Sequence, residues 1–161
     1  MTNRYWLIAG AAVCAALLGF GYYLELAGGL EPCPLCILQR LAFMAMGLSF
    51  LVGALLGPGR IGIRLLAGLG TLFAGLGGSV AGRQVWLQSL PADQVPACGP
   101  GLDYLVGNFP LLKALSMILR GSGECAQNTW QFLDLGIAAW ALLWFALLGG
   151  LWLYLLLRPD R

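Results

Sequence analysis

No histidine occurs anywhere in the chain, so the commonest general base and metal ligand is missing. Charge is scarce as well. Asp, Glu, Lys and Arg make up 10% of the 161 residues, against roughly 25% in an average soluble domain. Nine Lys/Arg against seven Asp/Glu leave a net charge of +2 with no basic run, so nothing points to nucleic acid. What fills the chain instead is apolar: 60% of its residues are hydrophobic. A soluble protein of this size has no means of hiding that much apolar surface, which points to one compact membrane domain.

A bilayer core needs roughly 20 consecutive apolar residues per helix, and four stretches reach that length, at about 5–27, 34–56, 61–82 and 135–157. The first is too long for a secretory signal and no clear Ala-x-Ala site follows it, so it is read as a span. Arginines near the span ends set the orientation. Arg4 precedes the first span, Arg60 and Arg64 lie in the turn after the second, and Arg158 and Arg161 follow the fourth. The link from Gly28 to Cys33 carries Glu31 and no Lys or Arg. The expectation is an all-α membrane protein: a four-transmembrane-helix bundle with both termini inside. Residues 83–134 then face outward, toward the periplasm in a bacterium. Arg83, Lys113 and Arg120 in that segment are too dispersed to reverse the assignment.

Gly70, Ala74, Gly78 and Gly82 recur every four positions in the third span, a spacing of small residues that lets helix backbones approach closely. Tyr5, Trp6, Tyr22, Tyr23 and Trp152 near span ends suit interfacial belts. In the outward segment Leu111, Leu112, Leu115, Ile118 and Leu119 form one apolar stripe after Pro110. The stripe predicts a short surface helix lying on the membrane, with ordinary packing on the bundle as the alternative.

The cysteines number five, at 14, 33, 36, 98 and 125, so at least one thiol has no partner within the chain. Cys14 sits mid-span among alanines and leucines and reads as an inert core thiol. The other four fall on the outward side, where an oxidising compartment lets disulfides persist. Cys33-Pro34-Leu35-Cys36 opens the second span. Pro34 suits the first helical position and places Cys33 at the N-cap, where the helix N-terminus is expected to lower a thiol's pKa. Arg40 follows Cys36 by four residues and shares its helix face. An arginine inside a span is costly and usually functional, and here it is expected to stabilise a Cys36 thiolate or an anionic ring oxygen of a bound cofactor, with snorkelling to the headgroups as the alternative. Cys98 lies between Pro96 and Gly99-Pro100, and Cys125 follows Gly121-Ser122-Gly123. Such flanks suit a pair that must be reached or must swing. Four cysteines allow three pairings, and the spacing does not choose among them. A four-thiolate zinc site is the metal-binding or structural alternative, although only one pair has the Cys-x-x-Cys spacing.

Taken together these residues resemble the DsbB family of bacterial inner-membrane proteins. The similar pieces are Cys33-Pro34-Leu35-Cys36-Ile37-Leu38-Gln39-Arg40, Gly82-Arg83-Gln84-Val85-Trp86-Leu87-Gln88 and Gly123-Glu124-Cys125-Ala126-Gln127-Asn128-Thr129-Trp130. The resemblance implies a quinone-dependent oxidoreductase that reoxidises a periplasmic DsbA-like thiol oxidase and passes the electrons to membrane quinone, ubiquinone or menaquinone. It implies that Cys98 and Cys125 form the disulfide presented to the partner, with Cys98 taking the partner's cysteine. Cys125 then exchanges with Cys33, and Cys36 faces the quinone with Arg40 beside it. Some members carry a histidine near Gln84; this chain has none, Arg40 cannot release a proton, and water is the expected donor. A protein of the vitamin K epoxide reductase type combines similar parts, but its Cys-x-x-Cys comes late in the domain.

Overall fold

The computed structural model describes residues 2–57, 59–91, 93–99, 101–127 and 130–157. Arg158 and Arg161 of the orientation count, Pro58, Pro100 beside Cys98, and Asn128 and Thr129 of the third motif lie outside the described residues. Four helices are long and apolar enough to cross a membrane. They are α1 (Thr2–Gly28), α2 (Pro34–Leu56), α3 (Arg60–Gln88) and, last in the chain, α7 (Ile137–Leu157). Between α3 and α7 come three short helices, α4 (Leu102–Asn108), α5 (Leu111–Arg120) and α6 (Gly123–Ala126), and a hairpin of β1 (Gln131–Phe132) and β2 (Leu135–Gly136). The chain is thus a multi-pass helical membrane protein.

Two boundaries differ from the sequence reading in ways that matter. Helix α3 runs on to Gln88, six residues past Gly82, so Arg83 and Gln84 sit on its last turns rather than in a loop. Leu135 and Gly136, counted in the fourth span, instead pair with Phe132 and Gln131. The hairpin loop, Leu133-Asp134, has φ of 53° and 61°, the left-handed pair that a two-residue hairpin turn requires. Leucine adopts that region at a cost of about 1–2 kcal/mol, and its side chain is 71% exposed, so packing returns little. Leu133→Asn should therefore raise the melting temperature in detergent by a few degrees, from about 1 kcal/mol of relieved strain. A lower value would mean that the leucine side chain is held by something.

Helix α1 packs on α2, α2 on α3, and α3 on α7. The core holds two aromatic stacks, Phe43 on Phe145 with centroids 3.9 Å apart and Phe50 on Trp152 at 4.2 Å. Each stack lies against a glycine of α3. A Cβ on Gly77 would overlap the Phe145 ring, and one on Gly70 would overlap the Trp152 indole. The small-residue stripe that is buried is therefore Gly70, Ala74, Gly77 and Ala81, not the four-residue series ending in Gly78 and Gly82. The reason is the helical period: at 3.6 residues per turn a strict spacing of four drifts off the contact line, whereas alternating four and three stays on it. Gly82 has open space where a Cβ would stand.

A second core covers the Cys33 end of the bundle. Leu35 and Leu87 from the long helices meet Leu105 of α4, Ala114 and Ile118 of α5 and Cys125 of α6. Helix α5 thus turns Ala114 and Ile118 to the protein and leaves Leu111, Leu112, Leu115 and Leu119 exposed. Its end is tied to α3 by Arg83, which donates to the Arg120 carbonyl at 2.9 Å and lies 4.1 Å over the Trp86 ring.

Candidate functional site: a three-thiol cluster at the end of the bundle

The site begins with the start of α2. Cys33 is the N-cap in an extended conformation, Pro34 takes the first turn, and the Cys33 sulfur accepts from the Cys36 backbone N–H at 3.4 Å. A proline costs nothing there because its missing N–H has no helical partner to lose. The cap turns the Cys33 and Cys36 sulfurs toward each other, 2.9 Å apart. Helix α6 then lowers Cys125 onto the same spot, where it hydrogen-bonds with Cys33. Cys33 is 7% exposed and Cys125 0%, while Cys36 is only half-buried.

Gln84 of α3 joins the three. Its amide nitrogen lies 3.3 Å from the Cys36 sulfur, 3.5 Å from the Cys33 sulfur and 3.5 Å from the Cys125 carbonyl, donating to each. Its amide oxygen accepts from the Gln39 side chain at 2.7 Å. Both glutamines are buried, and each anchors the other in an apolar setting where an unpaired amide would be costly. Neither was singled out by sequence. The available signal was an amide inside an apolar span, and for Gln84 that signal was lost by ending the span at Gly82.

The charge on the cluster falls differently from the sequence expectation. The Cys33 thiol is pushed up, first by its hydrogen bond to Cys125, then by that to Cys36, and then by burial. The Cys125 thiol is lowered to about 6. The hydrogen bond from Cys33 is the largest cause; burial opposes it, and the backbone N–H groups of Ser122 and Leu35 add to the lowering. Leu35 belongs to the first turn of α2, where backbone N–H groups have no helical acceptor. The first turn of α2 thus donates to two sulfurs, the Cys36 N–H to Cys33 and the Leu35 N–H to Cys125 on another helix.

Arg40 is also placed differently. Its guanidinium pairs with Glu25 of α1, donates to the Gly21 carbonyl at 3.1 Å and lies 4.7 Å over the Tyr22 ring. It is engaged with α1, whereas Cys36 makes its contact with Gln84 of α3. Glu25 is a further residue the sequence reading passed over. Cys98 stands apart from the other three and is exposed. Its loop packs on α6 through Gly123, whose N–H donates to the Ala97 carbonyl at 3.3 Å. A Cβ on Gly123 would come 2.7 Å from the Pro96 carbonyl oxygen and 3.3 Å from the Cys98 sulfur, so glycine is what admits this loop two residues from Cys125. The four-thiolate metal arrangement is not formed: among the described residues no three Cys, Asp or Glu groups are set to hold a metal ion. Cys14 is buried in the bundle core, against Gly47.

Buried thiols clustered at one end of a membrane bundle, with another on an exposed loop beside them, define a membrane protein of the thiol–disulfide redox class. The family model described as "Disulfide bond formation protein DsbB" matches residues 3–155. A Disulfide bond formation protein B of Hahella chejuensis is 46% identical over 161 residues, covering 100% of this chain and 98% of its own. Those of Marinobacter nauticus and Nitrosococcus oceani are each 49% identical, over 98% and 92% of this chain and 94% and 88% of their own. No solved structure matches. The chain belongs to the DsbB family.

Proposed function

We propose that this protein makes disulfides for export: it reoxidises a periplasmic DsbA-type thiol oxidase and passes the electrons to a membrane quinone. The observation that carries the reading is the placement of Cys125 against Cys33, with Cys36 half-buried beside them and Cys98 exposed on the adjoining loop. In sequence order the arginine count puts that end of the bundle outside. A partner thiolate attacks Cys98 of a Cys98–Cys125 disulfide, forming the mixed disulfide and releasing Cys125 as thiolate. Cys125 attacks Cys33 of a Cys33–Cys36 disulfide. The Cys33–Cys125 bond forms, the Cys33–Cys36 bond breaks, and Cys36 leaves as thiolate. The partner's second thiol displaces Cys98, which attacks Cys125 and frees Cys33, leaving the partner oxidised and Cys33 and Cys36 as a dithiol.

The final oxidant must be strong. DsbA stands near about −120 mV, whereas ordinary structural disulfides lie below about −300 mV, so exchange alone runs uphill by about 8 kcal/mol. The residues at Cys36 fit a quinone. Cys36 is the least buried of the three cysteines by residue exposure, and the Arg40 guanidinium has more N–H donors than its contacts with Glu25 and Gly21 use. Arg40 would hold a ring oxygen, with Cys36 beside it. The bound group supplies the two-electron, two-proton acceptor that re-forms the Cys33–Cys36 disulfide. Gln84 keeps that pair in register, and the second core keeps water from it.

The test is reconstitution in lipid vesicles with ubiquinone or menaquinone and reduced DsbA-type oxidase. Quinone absorbance should fall one for one with partner disulfide formed. Acid trapping during turnover should show Cys33–Cys125 and a Cys98–partner bond; turnover without those two bonds would overturn the scheme.

A further inference from the structure

The Arg40 side chain has a choice that the fold has made for it. On a helix, long side chains lean toward the N-terminus, onto the residue four positions earlier; for Arg40 that residue is Cys36. Instead the guanidinium reaches sideways to α1, where the Glu25 carboxylate, the Gly21 carbonyl and the Tyr22 ring receive it. Glu25 and Arg40 are both only partly exposed, 33% and 18% at their side chains, and both belong to membrane spans, where a charge without a partner is costly. Cys36 meanwhile makes its contacts with Cys33 and Gln84.

We propose that Glu25 is a positioning residue for Cys36: it holds the Arg40 guanidinium on α1, off the sulfur, so that the positive charge beside Cys36 is kept neutralised until a negative charge appears there. The inference rests on reading Cys36 as the thiol where electrons leave, but its mechanism is local and needs neither quinone nor partner. A cation brought against a sulfur favours the thiolate, and the thiolate is the form that reacts. Without Glu25 the arginine keeps the Gly21 carbonyl and the Tyr22 ring but has no anion, and the group one helical turn back along α2 that can become one is Cys36. With Glu25 in place that interaction is withheld, and Cys36, whenever it is reduced, is protected from adventitious alkylation and oxidation.

The experiment uses the reduced, full-length protein in lipid, without quinone or partner, and reads iodoacetamide labelling of Cys36 by peptide mass mapping at about pH 5, where thiols are largely protonated and the rate follows the thiolate fraction. Glu25→Gln should label Cys36 about ten-fold faster than the parent, the effect of roughly one unit of charge-driven shift. Glu25→Asp, which keeps the carboxylate, should restore the parental rate. The double variant Glu25→Gln with Arg40→Gln, which lacks both charges and leaves nothing uncompensated in the span, should also label at the parental rate. A Glu25→Gln rate equal to the parent's overturns the proposal, as does an aspartate variant as fast as the glutamine one. Should Glu25→Gln fail to fold, the double variant decides alone: labelling several-fold slower than the parent would mean that Arg40 already acts on Cys36. Because no quinone is present, failure of the quinone reading leaves these rates untouched and shows only in the turnover assay.

Discussion

Cys36→Ser protein, given reduced DsbA-type oxidase and quinone, oxidises about one equivalent of partner and then stops. Steady-state quinone reduction falls by at least about a thousand-fold, the scale of loss when a nucleophile that acts as part of a unit is removed. The two halves of this result come from different parts of the site. Cys98 is exposed and its loop is held by Gly123 of α6, so the Cys98–Cys125 disulfide meets its partner normally once. The electrons then have nowhere to go, because Cys36 is the half-buried sulfur of the cluster and the others are covered. Serine keeps the volume and can still accept from Gln84, so the variant should unfold like the parent. Repeated turnover by Cys36→Ser would break the assignment of Cys36 as the exit, and loss of the first equivalent would break the independence of Cys98.

In the reduced cluster Cys33 keeps its proton, held up by its hydrogen bonds to Cys125 and Cys36, and Cys125 is lowered to about 6. When Cys125 attacks, Cys33 is in its disulfide with Cys36 and has no S–H to give, so the groups left to favour the attacking thiolate are the backbone N–H groups of Ser122 and Leu35 and the Ser122 hydroxyl. Helix α2 contributes the Leu35 N–H to Cys125, so the first turn of the span organises a thiolate that belongs to α6.

Much of this was legible in sequence, for identifiable reasons. Four apolar runs of bilayer length can form little else, and a proline one residue after a cysteine at the edge of such a run fixes an N-cap. What was missed depends on which helix stands beside which. Spacing assigned Arg40 to Cys36 because both lie on α2; the partner that won, Glu25, is on α1 and fifteen positions away. Hydropathy ended the third span at Gly82, yet α3 continues because Arg83 finds the end of α5 and the Trp86 ring, and Gln84 finds Gln39. The hairpin carried no Asn-Gly or Asp-Gly signal, only a leucine and an aspartate forced into the left-handed region. Cys33 was given the lowered thiol because it caps the helix; Cys125, from a four-residue helix too short to be read in advance, took that role.

Gln84 is where these missed contacts converge, and Gln84→Leu should show it. Leucine matches the volume closely but leaves the buried Gln39 amide without its 2.7 Å acceptor and removes the donor facing two sulfurs and the Cys125 carbonyl. An orphaned buried amide costs about 1–3 kcal/mol, to be read in detergent unfolding. Exchange from Cys125 to Cys33 should slow by about a hundred-fold, the usual penalty for reacting groups displaced by about 1 Å, measured as the rate at which acid-trapped Cys33–Cys125 appears. The two effects separate in Gln39→Leu with Gln84→Leu. Removing both amides together leaves no polar group stranded, and such paired replacement is close to neutral, so stability should return to within about 1 kcal/mol of the parent. The exchange rate should not return, because the sulfurs still lack the amide that orients them. If the double variant exchanges at the parental rate, Gln84 serves only to satisfy Gln39, and the register of the three thiols is set by the N-cap and α6 alone.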